Sequence, residues 1–236
     1  MRNHYRVLSE ALEYAVDIEV IEANPADRVK PQIVTAEMVE LILAQAVGTP
    51  WLAAFCLAVY TGIRRSELCG LRWRDVDLEK YYLTIDRARV AVTGGSVEGD
   101  PKSESSSRLI SLSTDIVYVL RYHLMDQLEM FEALGIQWKE DCHMFCNDRG
   151  EPYHSSSVTH AFKRFATRSG FPDVRLHDTR HAHATILLRA KVQLKVVQEG
   201  MGHSTIATMS DIYSHVLREM DVDAAEAFER QFDDVR

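Results

Sequence analysis

No apolar run in this sequence approaches the ~20 residues that a membrane-spanning helix requires. The opening residues, Met1 to Arg6, lack the apolar segment of a secretion signal, so the expectation is a cytoplasmic protein that engages no membrane. Cysteine is scarce. Cys56, Cys69, Cys142 and Cys146 are scattered, which excludes a disulfide scaffold and points to buried, reduced thiols. Cys142 and Cys146 have the spacing of half a metal clip, but no second pair completes it. Glycine and proline are too few, 11 and 6 in 236 residues, for a low-complexity or collagen-like chain, and no internal repeat is visible. Positive charge is also in deficit, with a formal net charge of −8.

That deficit weighs against a generally basic nucleic-acid binder, because neutralising phosphates and releasing counterions supplies much of the affinity. The charge is unevenly spread, however. Residues 219–236 hold seven acids and two arginines, so −5 of the −8 resides there and −3 in everything before it. Arg64, Arg65, Arg72, Arg74, Lys163, Arg164, Arg168, Arg175 and Arg180 are available for a local basic patch, and local patches decide binding. What the chain does have is apolar content: 46% of its residues are hydrophobic, enough to bury a substantial core.

Hydrophobic spacing organises that content into elements. Leu8, Leu12, Ala15 and Val16 mark an amphipathic helix over about residues 3–22, stopped by Asn24-Pro25 and followed by a linker at Pro31. Thr35 is a candidate N-cap for a second helix carrying Met38, Leu41, Ile42 and Ala46. Residues 51–60 are apolar almost all round, as in a buried helix, and Thr61-Gly62 supplies a sharp turn after it. Strands are expected at residues 81–86 and 88–92, then a mobile Gly/Ser-rich turn at 93–107, then a strand at 108–112. Helices are expected at about 113–134, 155–168, 178–188, 193–199, 204–213 and 216–232. The class is mostly α with a small antiparallel β-sheet.

Within these elements a few residues have the right chemistry for a phosphate. Arg64 follows the glycine turn at the end of a buried helix, where an unpaired guanidinium is costly. It could pair with Glu67, or its planar fork could take two non-bridging phosphate oxygens. His177, Arg180 and His181 stand three and four positions apart, on one helix face, with His177 near the N-terminus where free N–H groups attract anions. A metal site built from His177, His181 and His183 is the rival, disfavoured by Arg180 in their midst and by His183 pointing away.

Taken together, Thr61-Gly62-Ile63-Arg64-Arg65-Ser66-Glu67-Leu68, His177-Asp178-Thr179-Arg180-His181 and Gly202-His203 followed by Tyr213 resemble the catalytic domain of tyrosine recombinases, the phage-integrase family. The resemblance covers about residues 33–215, with Thr179 and Ile212 departing from the usual leucine and threonine. It implies a site-specific recombinase that cleaves and rejoins DNA through a 3′-phosphotyrosine, without cofactor or metal. Arg64, Lys102, His177, Arg180, His203 and Tyr213 would be its catalytic residues, with Glu67 and His181 as accessory ones. Lys102 is assigned from its place in a turn between two strands, and Lys80 is the fallback. Residues 1–32 would be the last helix and linker of a truncated core DNA-binding domain, and 216–236 a helical tail for subunit exchange. Double-stranded DNA, a tetrameric synapse of like subunits, and an accessory DNA-bending or excision factor are the implied partners. A type IB topoisomerase and a non-catalytic DNA-binding module are the alternatives.

Overall fold

The computed structural model describes residues 34–86, 88–92, 95–99 and 107–202, together with 11–12, 14–16, 18, 20–21 and 25. The chain divides into two units, Met1–Ile33 and Val34–Arg236. In the first, the described residues 11–12 and 14–16 are helical, as their spacing leads one to expect.

The second unit is mostly helical. Helix α1 (Ala36–Ala44) starts where the Thr35 hydroxyl accepts the Met38 N–H at 3.3 Å, and it buries Val39, Ile42 and Leu43. Helix α2 (Leu52–Thr61) buries almost its whole circumference, from Ala53 to Ala58 and again at Thr61, in keeping with its all-round apolar sequence. Its Phe55 ring meets Phe162 edge-on at 5.3 Å and Phe165 at 5.7 Å, which locks α2 onto α5 (Ser155–Arg168). The short helix α3 (Arg65–Gly70) follows directly.

Strands β1 (Val76–Asp77), β2 (Tyr82–Ile85) and β5 (Arg108–Ser111) form an antiparallel sheet in the order β1-β2-β5, with Leu83 opposite Ile110. Alternation decides their faces: Leu83, Ile85 and Ile110 are buried, while Tyr82, Thr84 and Leu109 look outward. Strand β3 (Ala88–Val92) pairs instead with β4 (Gly95–Gly99), Val90 opposite Val97, in a separate two-stranded ladder. This corrects the single turn expected over 93–107. Gly95-Ser96-Val97-Glu98-Gly99 lacks apolar alternation, and its strand state comes from backbone pairing with β3.

The remaining helices are α4 (Thr114–Leu134), α6 (Leu176–Arg189) and α7 (Leu194–Met201). Helix α6 begins two residues before the expected start because Asp178 caps the Arg175 N–H at 3.0 Å. The expected helices at 204–213 and 216–232 lie outside the described residues. One large core joins α1–α6 and the sheet, and a smaller cluster of Ala184, Leu188, Val197 and Met201 binds α7 to α6. The four cysteines are free thiols, three of them buried, and the Cys146 sulfur takes the Gln127 amide at 2.8 Å. No described helix is long and apolar enough to cross a membrane.

Candidate active site

The site is built around the end of α7. Helix C-termini leave carbonyls without intrahelical partners and carry the negative end of the helix dipole. Here three successive carbonyls, those of Gly200, Met201 and Gly202, each accept from a different arginine. Arg108 donates through Nε to Gly200 O at 2.8 Å, Arg180 through Nη2 to Met201 O, and Arg64 through Nη2 to Gly202 O. The three arginines come from β5, α6 and the loop before α3, and they meet only because the fold closes them around one helix end.

Arg64 is placed by a sharp turn. Gly62 caps α2 in the left-handed region at φ 61°, which reverses the chain within two residues. Arg64 then caps α3, its N–H donating to Glu67 Oε2 at 2.8 Å while its guanidinium donates to Oε1 at 2.9 Å. So Arg64 does pair with Glu67, yet its side chain stays 40% exposed and keeps a face toward solvent. Arg180 is buried, and its second arm donates to the Gly62 carbonyl, tying α6 to the same turn.

Glu67 is more than a partner for Arg64. Arg108 grips it with both arms, Nη1 to Oε1 at 3.0 Å and Nη2 to Oε2 at 2.7 Å, and both side chains are at most 7% exposed. Burial pushes the Glu67 carboxyl up, but hydrogen bonds and positive charge from Arg108 and Arg64 outweigh it and hold the group below the ordinary carboxylate range. The carboxylate is therefore ionised between two guanidinium groups.

His177 lies in the first turn of α6, and its Nε2 is 3.2 Å from Nε2 of His181, the rings meeting edge to face at 4.8 Å. Their hydrogen bond places one ring as donor and the other as acceptor. His183 turns the other way, its ring against Gly62, so the three histidines do not converge as a metal set would require. Burial, and after it the charge of Arg180, drives the His183 imidazole down to about 4, against a hydrogen bond to the Val59 carbonyl. Thr179, on the inner face of α6, is buried and satisfies its hydroxyl on the Leu176 carbonyl at 2.7 Å.

Of the residues expected from sequence, the fold thus brings Arg64, Glu67 and Arg180 to one helix end, while His177 and His181 pair on the helix that carries Arg180. Lys102, His203 and Tyr213 lie outside the described residues; His203 directly follows Gly202 in the chain. Of the cations available for a basic patch, Arg72 and Arg74 share Asp141 and Arg175 is held by Asp178, so part of that charge is paired within the protein. Arg108 was not anticipated, although a signal exists: it shares its strand face with buried Ile110, and a charge on a core-facing position demands a buried partner.

The profile of the phage integrase family matches residues 32–220. The chain belongs to the phage integrase family. Among curated members of that family, a tyrosine recombinase XerC-like protein of Caldanaerobacter subterraneus subsp. tengcongensis is 30% identical, over 90% of this chain and 58% of its own length. The ICEBs1 integrase of Bacillus subtilis is 26% identical, over 89% of this chain and 59% of its own length. The chain therefore spans a little under three-fifths of these relatives. The integrase fold is also seen in the solved structure of the Tn1549 transposon integrase in complex with transposon right end DNA. The two chains superpose with a TM-score of 0.71 at 22% identity, covering 95% of this chain and 78% of that one. XerA recombinase superposes with a TM-score of 0.63 at 23% identity, covering 82% and 64%.

Proposed function

We propose that this integrase-family chain is the catalytic part of a tyrosine-type site-specific recombinase, acting on double-stranded DNA of a phage or conjugative element. The observation that carries the reading is the convergence of Arg64 and Arg180 on adjacent carbonyls, Gly202 and Met201, immediately before His203. Two guanidinium groups held this close suit a single phosphodiester, whose transition state spreads extra negative charge over its equatorial oxygens.

In this proposal Tyr213 attacks the scissile phosphorus and forms a 3′-phosphotyrosine. A phenol near pKa 10 is a weak nucleophile at neutral pH, and the two arginines favour its ionised form. His177 accepts the phenolic proton, positioned by its hydrogen bond to His181. Lys102 protonates the departing 5′-oxygen, and His203 donates to a non-bridging oxygen. One phosphodiester is exchanged for another of similar energy, so a 5′-hydroxyl of a partner strand reverses the step and joins new ends. We further assign residues 1–32 to the end of a core DNA-binding domain, 33–215 to the catalytic domain, and 216–236 to a tail that docks on a neighbouring subunit of a tetrameric synapse. An accessory DNA-bending or excision factor would bias the direction of exchange, and the reaction would take place in the cytoplasm.

The test is a covalent trap. A core site is first selected from a random duplex pool with the non-cleaving Tyr213→Phe protein. It is then nicked beside the scissile phosphate so that a short fragment is lost after cleavage, and the reaction is run with EDTA at low salt. Wild type is expected to give a protein–DNA band that survives denaturation, and Tyr213→Phe none. An adduct formed by the Phe variant, or one abolished by EDTA, would falsify the assignment. Relaxation of supercoiled DNA lacking that site would favour topoisomerase action instead.

A further inference from the structure

Arg108 is a fully engaged charge near the site, and nothing in the mechanism above uses it. Its side chain is 7% exposed and turned to partners within the protein. All three of its nitrogens are engaged: two on the carboxylate of Glu67 and one on the carbonyl of Gly200. The contact with α7 is close. A Cβ placed on Gly202 would lie 2.7 Å from Arg108 Nη1, so the end of α7 rests on the guanidinium itself.

The charge balance shows what such a residue does. Glu67 is a buried anion facing two cations, Arg64 and Arg108. With both present, one net positive charge remains, and it belongs to the more exposed partner, Arg64. Without Arg108, the carboxylate would neutralise Arg64 outright and pull its fork inward, leaving less charge for an anionic substrate. The Nε contact acts on geometry as well: it seats the carbonyl two residues ahead of Gly202, whose own carbonyl orients Arg64 and whose successor is His203.

We propose that Arg108 is a positioning residue of the phosphate site, acting through Glu67 and the end of α7 to keep the Arg64 charge available and aimed. This rests on the recombinase reading above, and it adds a residue on the far side of the carboxylate to the groups that control the reaction. The catalytic arginine is in effect one member of a two-cation, one-anion cluster.

The test uses the full chain and the nicked duplex described above, with three measurements on each variant: melting temperature, DNA affinity, and single-turnover adduct formation at saturating DNA. Arg108→Gln is expected to bind DNA within about threefold of wild type but to cleave roughly 10- to 100-fold more slowly, the range typical when a supporting group lets a reactive one drift. Arg108→Gln combined with Glu67→Gln should cleave faster than Arg108→Gln alone, because the competing carboxylate charge is gone. A purely structural role predicts no such recovery. Arg108→Lys keeps the charge but not the fork, so it should fold and fall between wild type and Arg108→Gln. Wild-type cleavage by Arg108→Gln overturns the inference, as does a double variant no faster than the single one. If Arg108→Gln does not fold, wild-type cleavage by Arg108→Lys overturns it equally, and slowed cleavage with unchanged affinity supports it. A wild-type chain that forms no adduct overturns the recombinase reading, and this inference with it.

Discussion

Gly62 and His183 occupy the same few ångströms behind the site. The glycine has φ 61°, and a Cβ on it would meet His183 Cδ2 at 2.8 Å. A side chain here incurs both left-handed backbone strain and a clash with a ring that is itself packed. Gly62→Ala is therefore expected to lower unfolding stability by about 2 kcal/mol or more, measured by urea denaturation. A loss under half that would mean the turn relaxes freely. His183 makes a separate prediction. Its folded pKa of about 4 lies below the ordinary value near 6.5, so the unfolded chain takes up a proton first as pH falls. The stability held by its neutral form is complete above pH ~6.5 and declines toward pH ~4, by roughly 3 kcal/mol in total. Replacing it as His183→Gln should flatten that slope by one proton in a series of melts. An unchanged slope would assign the acid sensitivity to other groups; Glu67 acts at lower pH, where its depressed carboxyl loses its contribution.

At the scale of elements, the site depends on where helices end. Helix α2 ends at Gly62, α7 ends at Gly202, and α6 supplies Arg180 to both ends, so carbonyls without intrahelical partners are gathered where arginines can take them. Met1–Ile33 forms a unit of its own, and residues 1–32 are proposed above to end a separate DNA-binding domain. Removing residues 1–30 is expected to leave the melting temperature of the remainder within a degree or two. A fall of several degrees would make that unit integral to the catalytic fold.

For the molecule as a whole, the net charge of −8 is compatible with the proposed DNA substrate because the charge is unevenly distributed. Arg72 and Arg74 share Asp141, and Arg175 is held by Asp178, so part of the positive charge is paired within the protein and only the rest can meet phosphates. Salt dependence measures how many. If two or three phosphates are neutralised, raising salt from about 50 to 200 mM should weaken binding about 10- to 40-fold, less than for a broadly basic protein. A loss of a thousandfold or more would reveal a larger basic surface; no loss at all would argue against phosphate contact.

Much of this was legible from residues alone, because the information is local. The period of apolar side chains marks α5 and β2, a continuous apolar run marks α2, Thr35 marks the start of α1, and Gly62 marks the turn that delivers Arg64. The resemblance to tyrosine recombinases likewise rests on short motifs in a fixed order. Strand β4 was not legible, since its backbone pairing with β3 leaves no apolar signature. Nor was the grip of Arg108 on Glu67, or the capture of Arg72 and Arg74 by Asp141. The sequence by itself determined most of the described helices and strands and which side chains have the chemistry for a phosphate. Only the tertiary structure decided which of the charges are spent on one another, because pairing between distant segments depends on which buried groups the closed chain brings within hydrogen-bond reach.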